Sequence, residues 1–218
     1  MKIIELKESV TASNDRDADA LREELTSKGV LLINLMSSPG SGKTTLLKKT
    51  VSDMSDQRIA VLEADIDSAV DAERMEAAGA KSIQVHTDGM CHMDAGMTKR
   101  GLDEMSLEDV DLAFLENVGN LICPAEFDTG AQKNVMILSV PEGDDKPLKY
   151  PLMFTVSDCL LVNKIDAMKV FDFDMKALEE RAKKLNPDIA ILPVSSLNGT
   201  GFEAWIAWLR NRIEESRA

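Results

Sequence analysis

Apolar residues in this chain gather into short, nearly unbroken runs separated by mixed stretches. Seven runs, at 30–36, 58–64, 82–87, 113–118, 134–140, 159–163 and 190–195, are rich in Val, Ile and Leu and predict strands covered on both faces. The stretches between them predict helices at 43–54, 67–78, 106–112, 174–185 and 200–215. An acidic stretch over 14–28 predicts a further helix, with Ser13 or Asn14 as its cap and Gly29 as its stop. This alternation predicts an α/β three-layer sandwich with a mostly parallel central sheet flanked by helices. Residues 1–29 read as an N-terminal helical segment and 30–218 as a single domain. Pro141 to Pro151 (PEGDDKPLKYP) is the longest polar, proline-bounded stretch and is expected to be a loop, a place where function often resides. In such a sheet ligands bind at the carboxyl ends of the strands, where the candidate chemistry falls.

The first strand runs directly into Ser37-Ser38-Pro39-Gly40-Ser41-Gly42-Lys43-Thr44-Thr45, and a helix follows. Strand, glycine loop and helix start form the context in which Gly-x-Gly-Lys-Thr holds nucleotide phosphates, as in P-loop NTPases. The loop turns backbone N–H groups of Gly40, Ser41, Gly42 and their neighbours toward one point, and the helix N-terminus adds its positive dipole end. Lys43 is expected to reach the β- and γ-phosphates, and the Thr44 hydroxyl to hold Mg2+. The strict pattern begins with glycine, where this chain has Ser37.

About 120 residues on, the strand over 159–163 ends in Asn163-Lys164-Ile165-Asp166. A carboxylate at Asp166 accepts both the N1–H and the exocyclic amine of guanine. Adenine offers no such donor pair, so the site selects GTP and GDP over ATP. Lys164 is expected along the base and Asn163 as a brace, which makes 30–218 a G domain. Ser195-Ser196-Leu197 ends the next strand and resembles a base-contacting loop, with Ser196 and Leu197 in place of the usual alanine and lysine. Two strand-terminal acids, Asp65 and Glu116, are candidates to complete the magnesium site with Thr44. Each also reads as a cap or surface carboxylate. Glu116-Asn117-Val118-Gly119 is a variant of the GTPase Asp-x-x-Gly, with a glycine able to move with the γ-phosphate.

Charge and cysteine content narrow the classes. The net charge of −13 argues against a nucleic-acid partner, because a phosphate backbone demands a basic face. No apolar run approaches the roughly 20 residues of a membrane span, and Met1 to Val10 lacks a signal-peptide core, so a cytoplasmic address is expected. Cys159 sits in an apolar strand as an ordinary core residue. Cys91 and His92 are adjacent, and Cys123 follows Glu116 by seven residues. Thiolate and imidazole suit zinc, nickel or copper. One chain supplies too few ligands here for a closed tetrahedral site, although a symmetric dimer can pool them. Two thiols and a surface histidine without metal is the competing reading.

With these pieces placed, the chain resembles the HypB family of nickel-inserting hydrogenase-maturation GTPases, from about residue 25 onward. The resemblance rests on residues 36–45, on Asp71-Ala72-Glu73-Arg74, on Cys91-His92 and on Glu142-Gly143-Asp144-Asp145. Its most specific element is Glu116-Asn117-Val118-Gly119-Asn120-Leu121-Ile122-Cys123-Pro124-Ala125, alongside Asn163-Lys164-Ile165-Asp166. Ser37 is normal for this family. The resemblance implies GTP hydrolysis coupled to nickel delivery during [NiFe]-hydrogenase maturation. It also implies a nucleotide-promoted homodimer with a nickel or zinc site at the interface, built from Cys91, His92 and Cys123. The implied partners are a small nickel-binding maturation protein and the hydrogenase large subunit. Residues 1–90 hold no cysteine and only His86, so neither the N-terminal cysteine motif nor the histidine-rich tail of many members is expected here, and metal is expected at that one site. Lys149 is a candidate to reach a nucleotide, across the dimer. The competing functions are an accessory GTPase for urease or a cobalamin enzyme, a non-enzymatic nucleotide-binding scaffold, and a nucleotide kinase. The last is disfavoured by Asp166 and by the absence of an arginine-rich lid.

Overall fold

The computed structural model describes residues 6–65, 78–87 and 89–217. Seven strands, β1 (Leu31–Ser37), β2 (Ile59–Asp65), β3 (Lys81–His86), β4 (Leu112–Glu116), β5 (Lys133–Ser139), β6 (Cys159–Asn163) and β7 (Ala190–Pro193), form one sheet in the order β3-β2-β4-β1-β5-β6-β7. Every pairing is parallel. The strand bounds fall within two residues of those expected from the apolar runs. After β1 the chain turns to one side of the sheet for β2 to β4, then crosses to the other side for β5 to β7. The carboxyl end of β1 therefore lies at the topological switch point.

Alternate residues of β1 point into different cores, which fixes the layers. Leu31, Ile33 and Leu35 pack with Leu46 and Leu47 of the helix Lys43–Asp53 and with Trp205, Leu209 and Ile213 of the helix Phe202–Ser216. The Trp205 indole donates to the Thr50 hydroxyl at 2.9 Å, so its one polar atom is satisfied in the core. On the opposite face, Leu32 joins Leu21 and Leu25 of the helix Leu6–Ser27 and Met97, Leu102 and Met105 of the helix Ala95–Met105. Met36 joins a neighbouring cluster containing Phe154 of the helix Pro151–Val156 and Leu178 of the helix Met175–Leu185. Cys159 is fully buried in β6, and burial pushes its thiol up. Among the described residues no helix is long and apolar enough to cross a membrane.

Three expectations fail for local reasons. The expected helix at 106–112 is absent, and the chain forms its helix at Ala95–Met105 instead. Gly101 of that helix faces the sheet: a Cβ there would lie 2.5 Å from Leu62 Cδ1. Asp94 caps it by accepting from Met97 N at 2.8 Å. After Ser106, at φ 54°, the acidic stretch turns into β4, and Asp111 binds the Arg58 guanidinium at 2.8 Å rather than serving a helix. The N-terminal helix, described from Leu6, runs through Ser13 and Asn14, so neither is a cap. Pro141 to Pro151 is not an open loop: a 3-10 turn, Val140–Glu142, and a helical turn, Lys146–Lys149, fill it. Prolines at early helical positions favour such starts. The helix expected at 67–78 lies almost wholly outside the described residues, as do Asp71, Glu73 and Arg74.

Replacing Gly101 with valine should destabilise the protein by about 1–3 kcal/mol in urea denaturation, through overpacking against Leu62 and Val85. No change would mean that this helix does not rest on the sheet. Hydrogen bonding to Arg58 holds the Asp111 carboxyl down at about 2. Its stabilising contribution is then complete above its unfolded value of about 3.9 and fades as pH falls toward 2. The stability gap between wild type and Asp111→Asn should accordingly shrink between about pH 4 and pH 2, and a constant gap would contradict this.

Candidate functional site

The loop after β1 is held by the exits of three neighbouring strands. From β5, the Ser38 hydroxyl donates to the Glu142 carboxylate, which also accepts from Ser139 N and its hydroxyl at 2.7 Å each. From β4, Gly119 lies against Pro39: a Cβ there would sit 3.1 Å from Pro39 Cγ and 3.2 Å from its nitrogen. From β6, Lys164 Nζ donates to Gly40 O at 2.6 Å and Asn163 Nδ2 to Ser41 O at 2.9 Å. Gly40 and Gly42 have φ of 75° and 102°, which a side chain would resist. At Gly42 a Cβ would also lie 2.6 Å from Asn163 Nδ2. Within the loop Ser41 donates to Ser37 Oγ at 2.7 Å and Lys43 Nζ to the same oxygen at 2.9 Å. Ser37 is thus the inner anchor of the loop. Thr45 is exposed on the first turn of the helix.

Asn163 also joins the two base-side loops. Its Oδ1 accepts from Ser196 N at 3.0 Å and from the Ser196 hydroxyl at 2.9 Å. The Ser195 hydroxyl donates to the Asp166 carboxylate. Lys164 holds a left-handed backbone at φ 61°, a strained position for lysine that is fixed by its bond to Gly40. Leu197 is 83% exposed beside this pair of loops, an apolar face open to a planar base. Phosphate-binding and base-binding candidates thus form one continuous surface around Asn163.

β4 pairs with β1 so that Leu35 lies opposite Glu116, which sets Glu116 beside the phosphate loop. Thr44 Oγ1 lies 3.3 Å from Glu116 Oε1. Two hard oxygen donors at the start of a helix beside a phosphate loop fit Mg2+. Asp65 ends β2, two residues beyond Glu63, the partner of Glu116 in register. Its backbone is therefore at the same end of the sheet. Lys149 pairs with Asp145 at 2.5 Å instead of pointing to the loop as a lone cation.

Beyond Glu116 the chain carries the second group. Cys91, His92 and Cys123 bring one ligand atom each to within 4.8 Å of one another, the only such group of three histidines, cysteines or acids among the described residues. Cys91 Sγ lies 3.8 Å from His92 Nδ1. A hydrogen bond shared with Cys123 pushes the Cys91 thiol up, and burial adds to the effect. The His92 ring stacks on Phe127 with centroids 3.8 Å apart, and this burial favours the neutral, ligating imidazole. Soft thiolates with an imidazole fit nickel or zinc, and three ligands leave a coordination position open.

Two amides tie this cluster to the strand exit. Asn117 Oδ1 accepts from Met93 N at 3.2 Å and from Val118 N at 2.9 Å. Asn120 Nδ2 reaches Cys91 O at 3.5 Å. Asn117 Nδ2 donates to Asn34 Oδ1 at 3.0 Å, and Asn34 Nδ2 to Asn134 Oδ1 at 2.9 Å, forming a buried amide chain across β4, β1 and β5. Sequence reading assigned no role to Asn34, Asn117, Asn120 or Glu142. A polar residue inside an apolar strand was the available signal for Asn34.

Gly42→Ala should weaken GDP binding about tenfold or more, because it strains a left-handed residue and displaces Asn163. Titration with a fluorescent GDP analogue measures this, and unchanged affinity would detach Asn163 from the nucleotide site.

Residues 31–193 match the family model described as CobW/HypB/UreG, nucleotide-binding domain. Hydrogenase maturation factor HypB of Azotobacter chroococcum mcd 1 is 43% identical over all of this chain and 74% of its own length. The solved structure of HypB from Helicobacter pylori in complex with nickel superposes with a TM-score of 0.88 at 38% identity, covering 94% of this chain and 97% of that one. HypB from Archaeoglobus fulgidus gives 0.86 at 37% identity, covering 93% and 99%. The likeness thus extends over phosphate loop, base loops and cysteine cluster together, and the chain belongs to the CobW/HypB/UreG family, among its HypB hydrogenase maturation factors.

Proposed function

We propose that this protein binds and hydrolyses GTP and uses the cycle to control nickel held by Cys91, His92 and Cys123 during hydrogenase maturation. The observation that carries this reading is the segment from Glu116 to Cys123. One end lies 3.3 Å from Thr44 on the nucleotide side, and the other supplies a thiol to the cluster. Between them, Gly119 presses on Pro39 while Asn117 and Asn120 hold the loop that carries Cys91 and His92. A shift at either end moves the other, the property required of a two-state coupling element.

In this reading the guanine base sits between Lys164 and Leu197 with Asp166 accepting its donors. Gly40 to Thr44 surround the phosphates, and Lys43 moves from Ser37 to the β- and γ-phosphates. Thr44 and Glu116, with Asp65 beside them, would hold Mg2+, which neutralises phosphate charge. Water adds to the γ-phosphorus as the bond to the β–γ bridging oxygen breaks, leaving GDP and phosphate. The donors at hand are Lys43 and backbone N–H groups, so turnover by the protein alone is slow. Nickel is the cargo. A second copy of the chain, brought up by GTP, completes its coordination, and a nickel-binding maturation partner and the hydrogenase large subunit lie on either side of the transfer. The cytoplasm is the setting.

Two measurements test the reading. Lys43→Ala should abolish phosphate release from GTP, and persistent turnover would return the site to a scaffold role. Cys91→Ala should weaken nickel binding at least tenfold, followed by thiolate-to-metal absorbance, and leave GDP affinity within about twofold. Equal loss of both affinities would make Cys91 structural.

A further inference from the structure

The helix Leu6–Ser27 buries a stripe made of Asn14, Ala18, Leu21 and Leu25, with exposures of 8%, 0%, 3% and 1%. The spacing of four, three and four residues is that of one helical face, and the first member is a carboxamide where an apolar side chain is expected. Asn14 uses both ends of that group. Its Oδ1 accepts from Ala95 N at 3.0 Å, and its Nδ2 donates to Asp128 O at 2.8 Å. Ala95 lies three residues after His92, in the first turn of the helix that Asp94 caps. Asp128 lies five residues after Cys123 and directly follows Phe127, the ring on which His92 stacks. One buried side chain therefore spans the two segments that carry the metal ligands.

The same helix grips the second segment again about two turns later. Arg22 meets both Asp128 carboxylate oxygens at 2.8 and 2.7 Å and donates to Ala131 O at 3.2 Å. Leu21 packs where a Cβ on Gly130 would stand, 2.7 Å from its Cδ2. The Asp128 to Ala131 stretch is thereby fixed to the helix, and through Asn14 the helix is fixed to the start of the Ala95–Met105 helix.

We propose that Asn14 is a positioning residue for the metal cluster, its carboxamide setting the distance between the Cys91–His92 loop and the Cys123 segment. The inference rests on the assignment of Cys91, His92 and Cys123 as nickel ligands. Metal–ligand bonds tolerate errors of about 0.2 Å, so a shift of one loop by about 1 Å removes a ligand. Losing the carboxamide leaves the buried Ala95 N–H and the part-buried Asp128 carbonyl without their partner, which favours such a shift. The N-terminal helix thereby becomes part of the metal site although it contributes no ligand. Anything that displaces it changes nickel affinity ahead of nucleotide affinity, because both Asn14 contacts lie on the metal side.

The test titrates nickel ion alone into wild type, Asn14→Ala, Asn14→Ser and Leu25→Ala, following thiolate-to-nickel absorbance, with GDP affinity measured on each. Serine keeps a polar group but loses the reach. Leu25→Ala loosens the same stripe without touching a polar group, and so reports general destabilisation. The expected result is a nickel affinity lowered about tenfold in both Asn14 variants with an altered charge-transfer band, GDP affinity within twofold of wild type, and near-normal nickel binding in Leu25→Ala. Wild-type nickel affinity in the Asn14 variants overturns the inference while leaving the metal site intact. Equal loss in Leu25→Ala overturns it as well, by reducing the effect to loosened packing. Absence of any nickel absorbance in wild type removes the metal assignment itself, and the inference with it.

Discussion

The parallel register between β1 and β4 sets Glu116 opposite Leu35, and the whole carboxyl end of the sheet is arranged around that pairing. β1 must end in the phosphate loop, so whatever leaves β4 is forced alongside it. In this chain what leaves β4 is an acid, two asparagines, a glycine and a cysteine within eight residues. A strand order with β4 elsewhere would leave the same motifs intact and the two sites unconnected. Topology, more than any one residue, sets the group Cys91, His92 and Cys123 beside the exit that also adjoins the phosphate loop.

The cost of this arrangement is polar burial. Asn34 and Asn117 are each 1% exposed, in strands and exits otherwise lined by Leu, Val and Phe. A buried carboxamide destabilises by about 1–3 kcal/mol when one partner is lost, yet is nearly neutral when all are present. The chain Met93–Asn117–Asn34–Asn134 meets that condition link by link. Such networks define one arrangement sharply and tolerate intermediates poorly. They suit an element with discrete positions better than an apolar seam, which slides.

The sequence carried the sheet and the nucleotide motifs openly, because buried parallel strands are continuous apolar runs and phosphate loops need glycine at fixed spacing. The Cys91, His92 and Cys123 grouping was visible as chemistry but not as geometry, since Cys91 and Cys123 meet only through β4 and the loops beside it. The helix Ala95–Met105 went unpredicted, and its Gly101 serves close packing on Leu62, which helix propensity does not register. Asn14 reads as a cap because asparagine before an apolar stripe usually is one. Its partners stand 81 and 114 residues away. Long-range side-chain bonds leave no periodic trace, and the bond from the Ser38 hydroxyl to the Glu142 carboxylate is another.

On the proposed function, nucleotide state and metal affinity are linked through the segment from Glu116 to Cys123. The most direct measurement is a nickel titration of the protein loaded first with GDP and then with a non-hydrolysable GTP analogue, read by thiolate-to-metal absorbance. Different affinity or stoichiometry in the two states is expected, with the reciprocal change in nucleotide affinity when nickel is bound. Identical nickel binding in both would contradict it and leave two sites that merely share a strand exit.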